Sequence, residues 1–226
     1  LNICQVSLRR DIPLILKNYK NFIKFYRNIK IYIICPAKEI YDFKSKLKFK
    51  EFEIIEEESL ISSQKFLNIF KDLSNMINYK DDFKNRISWY YQQILKISFV
   101  LQFIEKYKKN IIIWDADTIL IKKINFFKNN VSIQYGNFNE FHNQYFITNK
   151  KILGSTLKYH ISFLNQFIAV STKEMSFFKK KIFNNELINT TDIPTELSKL
   201  ILKSIFTEHP IYNGSMFSEY ELSLIH

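Results

Sequence analysis

Short apolar runs alternate with helically spaced segments along the first half of the chain. Residues 1–6 are strand-like, and the first strand ends over residues 5–8. Residues 12–26 then carry Leu14, Ile15, Tyr19, Phe22, Ile23 and Tyr26 at helical spacing, which predicts a helix. A second strand is predicted over 31–35 and is stopped by Pro36. A short amphipathic helix follows over 39–47, then a third strand over 52–55 ahead of Glu56-Glu57-Glu58. This βαβαβ order predicts a parallel, doubly wound sheet, and right-handed crossovers put the strand C-termini on one edge.

Residues 61–85 are polar and less regular, which marks a mobile or helical insertion. The strongest helical pattern covers 89–107 and feeds through Lys108-Lys109-Asn110 into Ile111-Ile112-Ile113, a strand ending at Asp115. Further short strands are expected over 118–121, 131–135 and 167–171. Helices are expected over 173–183 and 195–205, the latter with Pro194 near its first turn, and a last helix starts near Ser218. No repeat, low-complexity linker or domain boundary interrupts the series, so residues 1–226 are expected to form one α/β domain.

At 226 residues the chain can bury a substantial core. Its 46% hydrophobic and 24% charged residues suit a soluble globular protein. No stretch approaches the roughly 18 to 20 apolar residues of a membrane span, and the N-terminus lacks the basic start and cleavage site of a signal peptide. The missing initiator Met points to a trimmed or partial sequence. Cys4 and Cys35 fall inside apolar strands and read as buried structural thiols, which fits a cytoplasmic compartment. The net charge of +11 suits phosphorylated substrates, anionic lipid or nucleic acid. Heavy use of Lys, Asn, Ile, Phe and Tyr also matches AT-rich coding, which gives such a charge with no functional cause. Only Gly136, Gly154 and Gly214 occur, and isolated glycines write neither a P-loop nor a dinucleotide fingerprint. Any phosphate bound here must be held by a metal and cationic side chains.

Trp114-Asp115-Ala116-Asp117-Thr118-Ile119 supplies a place for that metal. A strand delivers both carboxylates to its C-terminal edge, where open α/β sheets bind ligands. Residues two apart in a strand share a face, so Asp115 and Asp117 converge on one metal or on a ribose-plus-metal site. A haloacid-dehalogenase phosphatase also uses such a pair. Its motif normally lies on the first strand with Thr or Val four residues after the nucleophile, where this chain has Ile119. It also needs a later acidic cluster, and the only later aspartate is Asp192. Two-metal polymerase chemistry wants a third carboxylate that is not evident.

An Asp-x-Asp at the end of the fourth strand resembles the GT-A glycosyltransferases. Trp89-Tyr90-Tyr91-Gln92-Gln93-Ile94-Leu95-Lys96 is similar to the tryptophan–Gln-Gln–Leu-Lys helix of bacterial GT-A-like enzymes of surface polysaccharides. Gln92 and Gln93 lie four and three residues before Lys96, so the three form a polar stripe on a largely apolar helix. That stripe either ties the helix to the Asp115 strand or contacts the donor. Ser218-Glu219-Tyr220-Glu221 resembles a C-terminal segment of the same enzymes, without the aromatic-glycine pair that usually continues it. Ser218 and Glu221 have capping-box spacing, which leaves Glu219 as the candidate base for an acceptor hydroxyl.

The resemblance implies a Rossmann-like GT-A fold with a mostly parallel central sheet. Residues 1–120 would form the nucleotide-sugar half and 121–226 the acceptor half. It implies a metal-dependent transfer of a sugar from a nucleotide-sugar donor, a uridine diphosphate sugar, to a bacterial surface glycan; an inverting route is expected with Glu219 as base, and a retaining one stands beside it if Glu219 is not in the site. Asp115, Asp117 and the C-terminal His226 would bind Mn²⁺ or Mg²⁺, and Ser7, Arg9, Gln92, Gln93 and Lys96 would contact the donor. His142 and His160 fall in segments where such enzymes build acceptor contacts. The acceptor would be a glycan or lipid-linked glycan, and nucleic acid is not an expected partner. The basic, aromatic-flanked stretch Phe177-Phe178-Lys179-Lys180-Lys181-Ile182-Phe183 is either an inner-membrane contact or one solvated helix face. The alternatives are a phosphatase and a non-catalytic glycan- or membrane-binding domain.

Overall fold

The computed structural model describes residues 1–76, 86–135, 142–154, 166–183, 192–208 and 216–218. Its strands are β1 (Asn2–Val6), β2 (Lys30–Cys35), β3 (Phe52–Glu56), β4 (Ile111–Trp114), β5 (Phe127–Lys128), β6 (Val131–Ser132) and β7 (Phe167–Val170). Five of them form one sheet in the order β3-β2-β1-β4-β7. β3, β2, β1 and β4 are parallel, and β7 adds an antiparallel edge beside β4. Register aligns Ile3 with Ile31 and Ile112, and Cys4 with Tyr32 and Ile113.

The strands are Ile-rich because both faces are covered. Ile3, Ile31, Ile33, Ile112 and Trp114 enter one core with α1 (Ile12–Phe25) and α2 (Ile40–Lys46). Cys4, Tyr32, Ile34, Ile111 and Ile113 enter the other. That second core is shared with α3 (Ser63–Met76), α4 (Ile87–Tyr107), α5 (Asn143–Leu153), α6 (Thr172–Phe183) and α7 (Ile193–Glu208). The period of two along each strand thus divides its residues between two helical layers. α1 buries Ile12, Ile15, Tyr19 and Phe22, an i, i+3, i+7, i+10 stripe. α4 is buried on most of its circumference because the sheet and the outer helices enclose it. No helix among the described residues is long and apolar enough to cross a membrane.

The order β3-β2-β1-β4 has a direct consequence for a site. From β1 the chain steps outward through α1 and α2 to β3, then returns through α4 to β4 on the other side of β1. The direction of winding reverses between β1 and β4, so their C-terminal ends flank the topological switch point, where such sheets bind ligands.

Several elements depart from the sequence pattern. β1 ends at Val6, because the backbone N–H of Leu8 donates to the Asp11 carboxylate at 2.8 Å and the chain turns toward α1. Residues 118–121 are not a strand. Leu120 alone is buried there, and its N–H donates to Asn18 Oδ1 at 2.9 Å instead of joining a ladder. The strand expected over 131–135 shrinks to β6, half of a hairpin whose turn is Asn129-Asn130. Both turn residues have positive φ, 51° and 59°, as a type I′ turn requires. In a glycine-poor chain, asparagine takes such positions most readily. Residues 63–76 of the polar insertion form α3, and 77–85 lie outside the described residues. α5 was not foreseen. Two of its five buried residues, Thr148 and Asn149, are polar, which hides the helical period.

Candidate functional site

The acidic pair lies in a turn after β4, not in the strand itself. The N–H of Thr118 donates to the Asp115 carbonyl at 3.0 Å, and the N–H of Asp115 donates to the Gln166 carbonyl at 2.9 Å. Trp114 Nε1–H donates to the Thr118 carbonyl, and the Thr118 hydroxyl to Gln166 Oε1, both at 2.9 Å. The Trp114 ring is buried, stacked on Phe167 at 5.1 Å and edge-on to Phe22 at 5.0 Å. The turn is therefore locked to the start of β7 and to the α1 core. Shared strand-face geometry, expected from the two-residue spacing, does not apply: Asp115 is half-buried and Asp117 is exposed.

Lys96 explains the difference. It sits on α4 between Leu95 and Ile97, and its ammonium lies 2.7 Å from Asp115 Oδ1. The Lys96 side chain is 3% exposed and that of Asp115 24%. A nearly dry ammonium needs a carboxylate, and Asp115 supplies one. The same charge lies close enough to Cys4 to oppose the effect of burial, which pushes that thiol up. Gln93 is buried beside Lys96 on α4, and Gln92 is half-buried. The polar stripe thus does reach the Asp115 strand, through Lys96.

β1 and β4 are parallel neighbours, so Ser7, the residue after β1, lies at the same C-terminal edge of the sheet as the acidic turn. Ser7 is buried at this edge, and its Oγ has no hydrogen-bond partner among the described residues; the same holds for Gln5 Nε2, two residues back on β1. Arg9 is turned elsewhere. Its N–H donates to Glu39 Oε2 at 2.6 Å, and its exposed guanidinium lies 3.5 Å from Asp42 on α2, so it is not brought to the acidic pair. Glu219 and His226, like His160, lie outside the described residues. Just before Glu219, Met216, Phe217 and Ser218 are fully buried, and the Met216 N–H donates to the Tyr90 hydroxyl on α4 at 2.9 Å. His142 precedes α5, its ring 5.0 Å from that of Tyr145. Among the described residues no third His, Cys, Asp or Glu joins the pair to make a metal cluster.

The sequence reading missed a second charged feature on this edge, after β3. Burial pushes the Glu57 carboxyl up to about 7, helped by Glu58 and Glu39 and opposed by Lys38. The same carboxylates add to burial in raising the Cys35 thiol to about 12. Both cysteines are free and buried, as the strand pattern predicts. The run Glu56-Glu57-Glu58 was the available signal, but only the turn after β3 brings Glu39 to it.

Two other expectations also resolve. Asp192 caps α7, accepting from the Thr195 N–H at 3.3 Å, and pairs with Lys65 on α3. Burial pulls its carboxyl up, but the bonds from Lys65 and Thr195 outweigh that and hold it below the ordinary range. It is occupied in joining two helices, so it does not supply the acidic cluster a phosphatase needs. The stretch 177–183 lies in α6 with Phe178 and Ile182 buried, and Lys179 pairs with Glu105 at 3.0 Å. Phe177, Lys180 and Lys181 are exposed on its other face.

No curated protein and no solved structure matches the chain. One family model does, over residues 7–224, which takes in the first strand edge, α4 and the acidic turn. The chain belongs to that family, DUF6492, a family of unknown function.

Proposed function

We propose that the chain is a GT-A glycosyltransferase that moves a sugar from a nucleotide-sugar donor, a uridine diphosphate sugar, to a bacterial surface glycan or its lipid-linked precursor. The observation that carries the reading is the acidic turn at the β1–β4 switch point, with Asp115 held by buried Lys96 and Asp117 turned to solvent. The buried hydroxyl of Ser7 on the same edge, without a partner among the described residues, supports it, because such a group costs about 1–3 kcal/mol unless a ligand meets it.

The residues present fit a divalent cation. Mg²⁺ is commonly held by one or two carboxylates with substrate phosphates and water completing its shell. Asp117 and the second oxygen of Asp115 would hold Mg²⁺ or Mn²⁺. When bound, the metal supplies positive charge to the diphosphate leaving group. Lys96 keeps Asp115 in one orientation and cancels one of the two negative charges. Gln92 and Gln93, one turn before Lys96 on α4, would contact the donor. Glu219 takes the proton from the acceptor hydroxyl in an inverting displacement, and the burial of Met216–Ser218 against Tyr90 ties the preceding residues to α4.

Calorimetry with uridine diphosphate, with and without Mn²⁺, tests the reading. Binding that depends on Mn²⁺ and is lost in Asp117→Ala is expected. Binding that is absent, or indifferent to both metal and Asp117, would refute it.

A further inference from the structure

The chain contains no acidic residue between Asp11 and Glu39, and none between Asp117 and Glu140. These two stretches are remote in sequence, yet the fold lays one along the other. The Leu120 N–H donates to Asn18 Oδ1 at 2.9 Å. Four residues on, Ile124 exchanges both backbone groups with the Tyr26 hydroxyl, at 2.7 and 2.8 Å. Asn18 and Tyr26 are eight residues apart, about 12 Å along a helix axis, so residues 120–124 run beside α1.

The solvent side of this unit is basic. Lys17, Lys20 and Lys24 are exposed on α1, where their 3-4 spacing makes one stripe, and Arg27 is exposed just past the end of the helix. Lys122 and Lys123 are exposed on the neighbouring segment. None of these six has an ion-pair partner among the described residues. The contrast with α6 is direct, since there Lys179 has Glu105. Glu51 accepts from Tyr19 and lines a cavity with Ile23 and Arg27 on the flank turned toward β3. Large aliphatic side chains stand on both sides of the stripe. Ile121 is 82% exposed on one flank, and Ile23 is 49% exposed on the other, by the 100° step of an α-helix.

We infer that this face, α1 with residues 121–123, docks on an anionic lipid bilayer. Lysines draw the protein to negative headgroups, and flanking aliphatic side chains enter the boundary below them. Nucleic acid fits less well. A single-strand surface interleaves exposed aromatic rings with its cations, whereas here Phe126 is buried and the Tyr26 hydroxyl is engaged with Ile124. The acidic turn lies directly upstream of the segment, so docking would hold Asp117 close to the headgroups. The inference does not depend on the sugar-transfer reading.

The test is sedimentation of the full chain with vesicles of phosphatidylcholine alone, or of phosphatidylcholine and phosphatidylglycerol two to one. Binding is expected only to the second, falling with salt. Lys122→Gln with Lys123→Gln should weaken it about 20- to 30-fold, at roughly 1 kcal/mol per lysine near an anionic surface. Ile121→Ser should weaken it about 10-fold, from the apolar area it no longer buries. Lys179→Gln with Lys181→Gln, an equal charge change on α6, should leave it unchanged. An α6 variant as weak as the 122/123 variant, or equal binding to neutral vesicles, overturns the inference. So does an Ile121→Ser protein that binds normally while single-stranded DNA displaces the vesicles.

Discussion

Breaking the Lys96–Asp115 pair from its two ends should have unequal costs, because the partners are unequally exposed, 3% against 24%. Asp115→Ala takes a carboxylate 2.7 Å away from an ammonium that water scarcely reaches. Removing one partner of a buried pair costs about 3–5 kcal/mol. Lys96→Met keeps the apolar stem that packs in α4 and leaves a carboxylate with part of its surface in water. That carboxylate can rehydrate, so the cost is about 1–2 kcal/mol. With both groups replaced, neither charge of this pair remains to be desolvated. The double variant should therefore be more stable than Asp115→Ala alone, with a coupling energy of about 2–4 kcal/mol. Urea denaturation of the four proteins at neutral pH measures all three quantities. Equal single costs, or singles that add to within about 0.5 kcal/mol, would refute the view that burial of the ammonium fixes Asp115.

Two further outcomes follow from single residues. The Glu57 carboxyl rises from its ordinary 4.5 to about 7 in the folded chain, so between those values the native state holds a proton that the unfolded state has released. Its contribution is present below about 4.5 and is lost as pH rises through about 7, by roughly 1–2 kcal/mol after solvent screening. Urea denaturation of wild type and Glu57→Gln at pH values on either side of this window should show the loss only in wild type, and a parallel pH dependence would exclude the assignment. Lys108 ends α4 with φ of 52°, a left-handed cap normally taken by glycine. Lys108→Gly should raise stability by about 0.5–1 kcal/mol, and a lower denaturation midpoint would contradict that.

The parts of the fold that were legible in the sequence are those where one physical signal dominates. β2 and β4 carry continuous apolar runs, β3 carries Phe52, Ile54 and Ile55, and α1 carries a clean apolar stripe, so the sequence places each to within a residue or two. Residues 118–121 looked the same locally. Whether Ile119-Leu120-Ile121 pairs as a strand depends on a free sheet edge, and the edge beside β4 is taken by β7. α5 failed for the opposite reason, since its buried Thr148 and Asn149 look like surface residues until their surroundings are known. In the site, the residue types were readable and the geometry was not. The spacing of Gln93 and Lys96 marked a polar stripe. That the stripe meets Asp115 follows from how α4 seats on β4, a contact 19 residues apart in sequence. Trp114 belonged to the motif as read, but its function as the lock on the acidic turn required Phe22, Phe167 and Thr118 to be in place.

The two aspartates have the same chemistry and differ only in what the fold does with them. Asp115 is the last residue before the turn, where its N–H still bonds across to Gln166 and its side chain meets α4. Two residues on, the chain has turned outward and Asp117 faces water. One carboxylate is therefore largely committed to the protein and the other is available to a ligand. With Lys96 included, the turn carries one net negative charge, which is too little to hold a dication tightly by itself. In the proposed reaction a donor diphosphate would bring the remaining oxygens and charge. On this accounting metal and nucleotide should bind together, each weak without the other. The glycine-poor sequence agrees with the proposal, because a donor diphosphate held without a glycine-rich loop would need side chains and a shared cation.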